Sequence, residues 1–511
     1  MKRQFILAHD LGTTGNKATL YDADGALVGS AFYGYTVEYA HPRWAEQNPE
    51  DWWQAVCTST QKLLRDTNVS GDEIACITFS GQMMGCTPLD NQARPLRKAI
   101  IWADQRALEQ ERWLADRLPA TTAYRITGHR LSASYSVAKL LWLRDNQPEI
   151  YKLAHKFMQA KDAMIARLTG VFACEPSDAS GTGIYDLERG DWSETIVQAA
   201  GLNPEQLPEI YPSSAVVGHV LPAVAGEVGV ATGTPVVMGG GDGACATAGA
   251  GVVSEGAAYT YIGSSSWIGL ATKQPVYDPD QRTFIFGHVV PGMYMPAGTM
   301  QAAGASYQWL RDQLCPLEVD AAHDLGISPY ELMNLQAERS RVGSQGLFFL
   351  PYLLGERSPR WNPNASAAFI GLTVRHSRAD MIRAVLEGIT MNLRVILDAF
   401  RAQGVQPAAM RLIGGGGRGR FWNRLMADIY GIPVQRLAIL EEATSMGAAL
   451  TGGVGVGLYH DFGMIEQMNQ IAEVIEPDAR ARAAYAQRLP IFESCYQALI
   501  PVFEQIVALE S

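Results

Sequence analysis

Pro235-Val236-Val237-Met238-Gly239-Gly240-Gly241-Asp242-Gly243-Ala244 lies near the middle of a 511-residue chain. An apolar run of β-type residues ends in three glycines, then one carboxylate, then small residues that can open a helix. Triple glycine permits positive φ and close approach of backbone or ligand. An acid placed there sits at the mouth of a strand with little bulk around it, which suits a carboxylate that must reach a substrate hydroxyl. A Gly-rich turn followed by a helix-capping Asp is the competing reading of the same residues.

Working outward, the length predicts two or more domains. Hydrophobic residues make up 47% and charged residues 18%, enough apolar material for large cores. The net charge of −11 argues against a nucleic-acid-binding surface, which needs clustered Lys and Arg. Small anions such as ATP remain compatible, because backbone N–H groups and a metal can hold them. Seven dispersed Cys without a C-x-x-C pair read as reduced thiols in a cytoplasmic protein. Met1-Lys2-Arg3-Gln4-Phe5-Ile6-Leu7-Ala8 has too short an apolar run for a signal peptide. No apolar stretch is long enough to span a bilayer, so no membrane partner is expected.

From the start, Phe5-Ile6-Leu7-Ala8 reads as a buried strand. Asp10-Leu11-Gly12-Thr13-Thr14-Gly15-Asn16-Lys17 follows, and Ala18-Thr19-Leu20-Tyr21 is a second strand, so the chain opens as a β-hairpin. Its turn offers N–H groups, hydroxyls and one acid, a set that can hold a phosphate with its metal; a plain polar turn is the alternative. The apolar run from Ile74 to Phe79 enters Ser80-Gly81-Gln82-Met83-Met84-Gly85. Ile100-Ile101-Trp102-Ala103-Asp104-Gln105-Arg106 has the same form, the usual setting for ligand contacts in α/β folds. A helix with an apolar stripe runs through Tyr135-Ser136-Val137-Ala138-Lys139-Leu140-Leu141-Trp142, where Lys139 reads as a solvated or structural cation. Beyond Asp242 the opening pattern returns: Tyr259-Thr260-Tyr261-Ile262, Gly263-Ser264-Ser265-Ser266, then Trp267-Ile268-Gly269-Leu270. Residues 379–401 form a long amphipathic helix, Glu442-Ala443-Thr444-Ser445-Met446-Gly447 opens a small-residue helix, and the tail after Asp478 is helical and packs outside. The alternation of strands and helices predicts an α/β fold.

Some motifs fail on context. Gly414-x-Gly416-x-x-Gly419 matches the dinucleotide fingerprint, but the region where its acid belongs, Pro433 to Ala438, holds none; a flat glycine surface for an adenine ring is the better reading. Asp461-Phe462-Gly463 lacks the other protein-kinase elements. There is no P-loop and no metal-ligand spacing of His.

Taken together, these stretches resemble the FGGY carbohydrate kinases of the sugar-kinase/actin/heat-shock ATPase superfamily. Tyr135 to Asn146 resembles the first family signature. Ala367-x-Phe369-x-Gly371-Leu372 with Asp380-Met381-x-x-Ala384-Val385-Leu386-Glu387 resembles the second. The resemblance implies two actin-like (ribonuclease H-like) domains around a central cleft: residues 1–246 with the sugar site and first phosphate motif, residues 247–511 with the ATP site and adenosine motif. It implies ATP and Mg²⁺ as cofactors, a small sugar or polyol as partner, and the homodimer common in the family. Asp242 is the candidate acceptor of the hydroxyl proton. Asp10, with Asp242, would hold Mg²⁺. Gly12, Thr13, Thr14 and Lys17, with Gly263 and Ser264, would face the phosphates. Gly415 and Gly416 would flank adenine or ribose, with Asn423 beside them. Met83, Met84, Trp102 and Asp104 would line the sugar site. Residues 41–49 and 351–359 resemble members acting on the ketopentose D-xylulose. Those members carry His where this chain has Met84, and often Asn in place of Gly243, so ribulose, L-xylulose, an erythritol-type polyol or a linear signal molecule are the alternative acceptors. Glycerol kinases carry an Arg-Glu pair at Met83-Met84, which disfavours glycerol. An actin-like ATPase module would need a polymerising surface or an appended peptide-binding domain, and the sequence shows neither.

Overall fold

The computed structural model describes residues 4–510. Two mixed sheets carry the fold. The first contains β1 (Phe5–Leu11), β2 (Gly15–Tyr21), β3 (Leu27–Gly34), β4 (Ile74–Gly81), β5 (Val216–His219) and β6 (Pro235–Gly241), in the order β5-β6-β4-β1-β2-β3. The second contains β7 (Ala258–Ile262), β8 (Ser266–Leu270), β9 (Phe284–Gly287), β10 (Tyr294–Met300), β11 (Met410–Ile413), β12 (Val434–Leu437) and β13 (Ile471–Ile475), in the order β9-β10-β8-β7-β11-β12-β13. β1 and β4 are buried along most of their length, so they read as apolar runs without alternation.

The two sheets repeat one plan. β1 pairs antiparallel with β2 and parallel with β4, which pairs parallel with β6. β7 pairs antiparallel with β8 and parallel with β11, which pairs parallel with β12. The echo between residues 8–20 and 259–270, faint as sequence, is thus complete as topology. The expected pair of actin-like α/β domains is the fold the chain adopts.

The helices packed on and between these sheets include α1 (Pro49–Thr67), α2 (Ser136–Asn146), α3 (Ala160–Thr169), α4 (Pro176–Ser180), α5 (Asp242–Gly249), α6 (Arg378–Ala402), α7 (Arg420–Tyr430), α8 (Ala443–Gly455) and α9 (Ala479–Glu510). As expected, α6 is long and α9 packs along the outside of the second domain, through Tyr485, Phe492, Tyr496 and Phe503. α5 and α8 cross between the sheets. α5 leaves the first sheet yet packs Ala246, and Ala250 just past its end, among Tyr259, Ile413 and Leu437 of the second. α8 leaves the second sheet yet packs Met446, Ala448, Ala449 and Leu450 among Ile6, Ala8, Cys76 and Val237 of the first. Each domain therefore lends a helix to the other's sheet, and residue 246, expected to end the first domain, lies inside α5.

Small residues make the crossing possible. A Cβ on Gly447 would stand 1.9 Å from the Cys245 carbonyl oxygen, and one on Gly249 would stand 1.8 Å from that of Ala443. Gly447→Ala would add helix propensity of about 1 kcal/mol, but backbone cannot move aside as a side-chain tip can. We therefore expect a net loss of about 1–3 kcal/mol, read as a lower urea midpoint.

Candidate active site

β6 does not run straight into α5. Val237 pairs with Thr78 while Gly240 pairs with Ser80, so β6 carries one extra residue, a β-bulge. Gly239 takes it up at φ +69°, and a Cβ there would meet the Phe79 carbonyl oxygen at 1.8 Å. Gly241 in turn packs under Met83, whose Cγ would lie 2.6 Å from an added Cβ. The bulge turns the chain so that Asp242 opens α5, and the Gly243 N–H donates to Asp242 Oδ1 at 2.7 Å.

Asp10 stands at the same end of the sheet, on β1, one strand away across β4. It pairs in register with Lys17 on β2 and Ser80 on β4. Burial, then the charge of Asp10, raises the Asp242 carboxyl to about 7 against the pull of the Gly243 N–H. Burial raises Asp10 to about 6, opposed by Ser80 and Lys17 and reinforced by Glu442. Lys17 is already paired with Glu442 at 3.1 Å, from the second domain. Asp10 feels both Lys17 and Glu442, and Asp242 feels Asp10, so acids outnumber the one ammonium nearby. That excess of hard oxygen donors fits a divalent cation. Among the described residues no three or more His, Cys, Asp or Glu form a metal cluster.

Each Gly/hydroxyl hairpin is closed by its first glycine, the second with a turn one residue shorter: Gly12 N–H donates to Gly15 O at 3.0 Å, and Gly263 N–H to Ser265 O at 2.9 Å. The first, carrying Thr13 and Thr14, is braced from below. Tyr35 Oη donates to Gly12 O at 2.6 Å and Gln47 Nε2 to Thr13 O at 2.7 Å, and Gln82 Nε2 donates to Gln47 Oε1 at 2.7 Å. Their residues at corresponding positions differ. Where β1–β2 pairs Asp10 with Lys17, β7–β8 pairs Tyr261 with Trp267, rings stacked at 4.0 Å. Gly263, Ser264, Gly415 and Gly416 line one cavity of about 1060 Å³ with Tyr307 and Asn334. A Cβ on Gly415 would touch nothing within 4 Å, so this residue opens on the cavity.

Trp102 is 39% exposed, and its Nε1 donates to Thr13 Oγ1 at 2.9 Å, so it stands beside the first hairpin instead of in the core. Met83 is buried against Gly241. Met84 holds φ +62°, a backbone a flexible thioether residue seldom adopts. Lys139, wholly buried and lowered to about 7 by that burial, donates to Met84 O at 2.6 Å and also bonds Ser134 O. Of its two readings, the structure selects the structural cation.

Two expected contacts need correction. Asp104 is fully buried, and its oxygens are taken by Arg106 and by the Ala45 N–H at 2.6 Å. Arg106 in turn lies 3.8 Å from the Trp44 ring. Asp104 fixes the loop carrying Trp102 and does not line the cleft. Asn423 on α7 is also fully buried, and its Nδ2 donates to Gly417 O at 2.8 Å, so it props the glycine loop from behind. The sequence reading missed Gln47, Gln82 and Tyr35. Only their nearness to Gly12 and Thr13 in space reveals them.

The sequence patterns of the FGGY family of carbohydrate kinases match this chain twice: the N-terminal domain at residues 5–249 and the C-terminal domain at 258–456. The chain belongs to the FGGY family of carbohydrate kinases. It is 34% identical over 495 residues to the xylulose kinase of Escherichia coli (strain K12), covering 96% of this chain and 99% of that protein. It is 30% identical over 505 residues to the gluconokinase of Bacillus subtilis (strain 168), covering 98% and 97%. The crystal structure of xylulose kinase from Rhodospirillum rubrum superposes with a TM-score of 0.91 at 28% identity, covering 98% of this chain and all of that one. An FGGY kinase is an ATP-dependent sugar kinase.

The raised carboxyls of this FGGY kinase have a cost in stability. A carboxyl raised in the folded state binds its proton more tightly there than when unfolded. It weakens the fold as pH climbs from about 4 to about 7. Asp242→Asn removes that charge, so we expect a higher Tm than the parent at pH 8 and a difference that vanishes near pH 4, read by calorimetry without ligand.

Proposed function

We propose that this enzyme transfers the γ-phosphate of ATP to a hydroxyl of D-xylulose, giving D-xylulose 5-phosphate, with Asp242 as the base. The observation that carries this reading is the position of Asp242: at the start of α5, next to Asp10, with a carboxyl raised to about 7. A base poised near neutrality is half ready to accept a proton at working pH and strong enough to keep it. The xylulose kinases among its relatives support the choice of acceptor.

In this reading Asp242 takes the hydroxyl proton as that oxygen bonds to the γ-phosphorus and the bond to the bridging oxygen of ADP breaks. Asp10, with Asp242 nearby, would hold Mg²⁺, directly or through water; when bound, it neutralises charge on the phosphates. The N–H groups of Thr13 and Thr14, in the turn that Gly12 closes, would donate with Ser264 opposite to the phosphate oxygens, and Lys17 can turn from Glu442 toward them. Gly415 and Gly416 offer a flat seat for adenine. Trp102 packs its exposed face on the sugar C–H groups. The residues at 1–246 would move as the sugar-holding domain and those at 247–511 as the nucleotide-holding domain, closing to keep water from the γ-phosphate. Cytoplasmic residence follows from the substrates and suits seven Cys that are all free.

A second acceptor reading rests on Met84. A thioether is a poor hydrogen-bond acceptor where a hydroxyl needs a partner, and a gluconokinase stands among the relatives. A panel of D-xylulose, D-ribulose, L-xylulose, erythritol and D-gluconate, followed by coupled ADP release, decides between them. D-xylulose is expected to give the highest kcat/KM, and ATP turnover indifferent to every acceptor would remove the kinase reading. Asp242→Asn should abolish transfer with the fold intact, and kcat/KM of the parent should rise with pH through about 7 as Asp242 ionises. Met84→His should raise kcat/KM for D-xylulose. His supplies a hydrogen-bonding ring and also tolerates positive φ better than Met; a fall would mean the loop is built for another acceptor.

A further inference from the structure

Behind the catalytic turn lies a buried charge cluster to which the transfer reaction assigns no part. Lys161 on α3 has its Nζ 2.6 Å from Asp162 Oδ1, 3.1 Å from Asp178 Oδ2 and 3.5 Å from Glu175 Oε1, and all four side chains are sealed from solvent. Three acids around one lysine leave negative charge in surplus, and burial pushes the Asp162 and Asp178 carboxyls up. Glu175 is the member with a full set of partners. Its Oε2 accepts from Ser177 N–H and Ser213 Oγ, each at 2.8 Å. Its Oε1 accepts from Ser177 Oγ at 2.6 Å and Asp178 N–H at 2.9 Å.

The consequence falls on Ser177. With its proton committed to Glu175, the Ser177 hydroxyl can only accept from any further neighbour. It accepts from the Gly241 N–H at 2.9 Å. Gly241 is the residue immediately before Asp242, on the far side of the bulge at Gly239. Ser180, one turn along α4, accepts from the Gly287 N–H of β9 at 3.0 Å. The short helix α4 is therefore pinned at one end to the peptide that aims Asp242 and at the other to the second domain.

We propose that Ser177 and Glu175 are positioning residues for phosphoryl transfer: the relay from Gly241 N–H through Ser177 Oγ to Glu175 fixes the peptide on which Asp242 is mounted. This rests on the reading of Asp242 as the base. The alternative is that the cluster merely stabilises the fold, and the two differ in what they do to kcat. A carboxylate that swings out of line with the hydroxyl loses rate without losing nucleotide affinity.

The test measures kcat, KM for ATP and Tm, using whichever of the five acceptors gives the highest kcat/KM. Ser177→Ala is expected to lower kcat by about ten- to a hundred-fold with KM for ATP unchanged. Ser213→Ala takes a hydroxyl from the same carboxylate but leaves Gly241 bonded. It should lower Tm comparably and keep the parent kcat. Glu175→Gln should lose kcat in the same direction, and the Ser177→Ala/Glu175→Gln double variant should lose no more than Ser177→Ala alone, because the two act as one unit. Should Ser177→Ala fail to fold, Glu175→Gln against Ser213→Ala makes the same comparison. The relay is overturned if Ser177→Ala keeps the parent kcat, or if kcat falls with Tm alike in the Ser177 and Ser213 variants. An active Asp242→Asn would overturn the base assignment, and the relay with it. An inactive Asp242→Asn beside a fully active Ser177→Ala would overturn the relay alone.

Discussion

Backbone resting on backbone, where α5 crosses α8, is the constraint on which the molecule depends. At Gly249 and Gly447 a carbonyl oxygen of the other helix occupies the space a side chain would need. Interiors are close-packed, so a contact of this kind has few neighbouring arrangements of similar energy. The crossing also sets chemistry. Asp242 is the first residue of one helix, and Glu442, the partner of Lys17, immediately precedes the other. Any relative movement of the domains about this crossing changes the distance between those charges.

The electrostatics follow from placing acids where water is scarce. Asp10 and Asp242 each have burial as the main cause of their raised carboxyls, and each suffers from another acid: Asp242 from Asp10, and Asp10 from Glu442. A fold selected for stability alone would not keep that arrangement. In the proposed transfer the surplus would attract a metal and keep a base near neutrality. The polar struts below the hairpin, Gln82 to Gln47 to Thr13, serve the same end, because they hold the turn in place without contributing charge.

Much of this was legible from the residues, for physical reasons. β1, β4 and β6 are sealed on both faces, so their apolar runs are continuous and their ends are marked by Gly. The three glycines before Asp242 announced close approach, though only the pairing with β4 shows that Gly239 alone takes positive φ and absorbs a bulge. Asp104 misled because its partner, Arg106, is two residues away, and a loop must fold before that proximity becomes a bond. Asn423 misled because a helix beside a glycine loop can face the ligand or the loop's back, and composition does not say which. The exchange of α5 and α8 was out of reach, since it joins Gly453 to Ile6 across almost the whole chain. Glu175 also caps α4, accepting from the Ser177 and Asp178 N–H groups, and no sequence pattern sets that cap apart from any other.

The two hairpins share one topology, yet the second pair from each turn differs in kind: acid and amine in β1–β2, stacked indole and phenol in β7–β8. A duplicated scaffold would by itself offer both banks of the cleft the same chemistry, and a bound chain of phosphates could then lie either way round. In the proposed reading, ions on one hairpin and rings on the other would give the crevice a head and a tail.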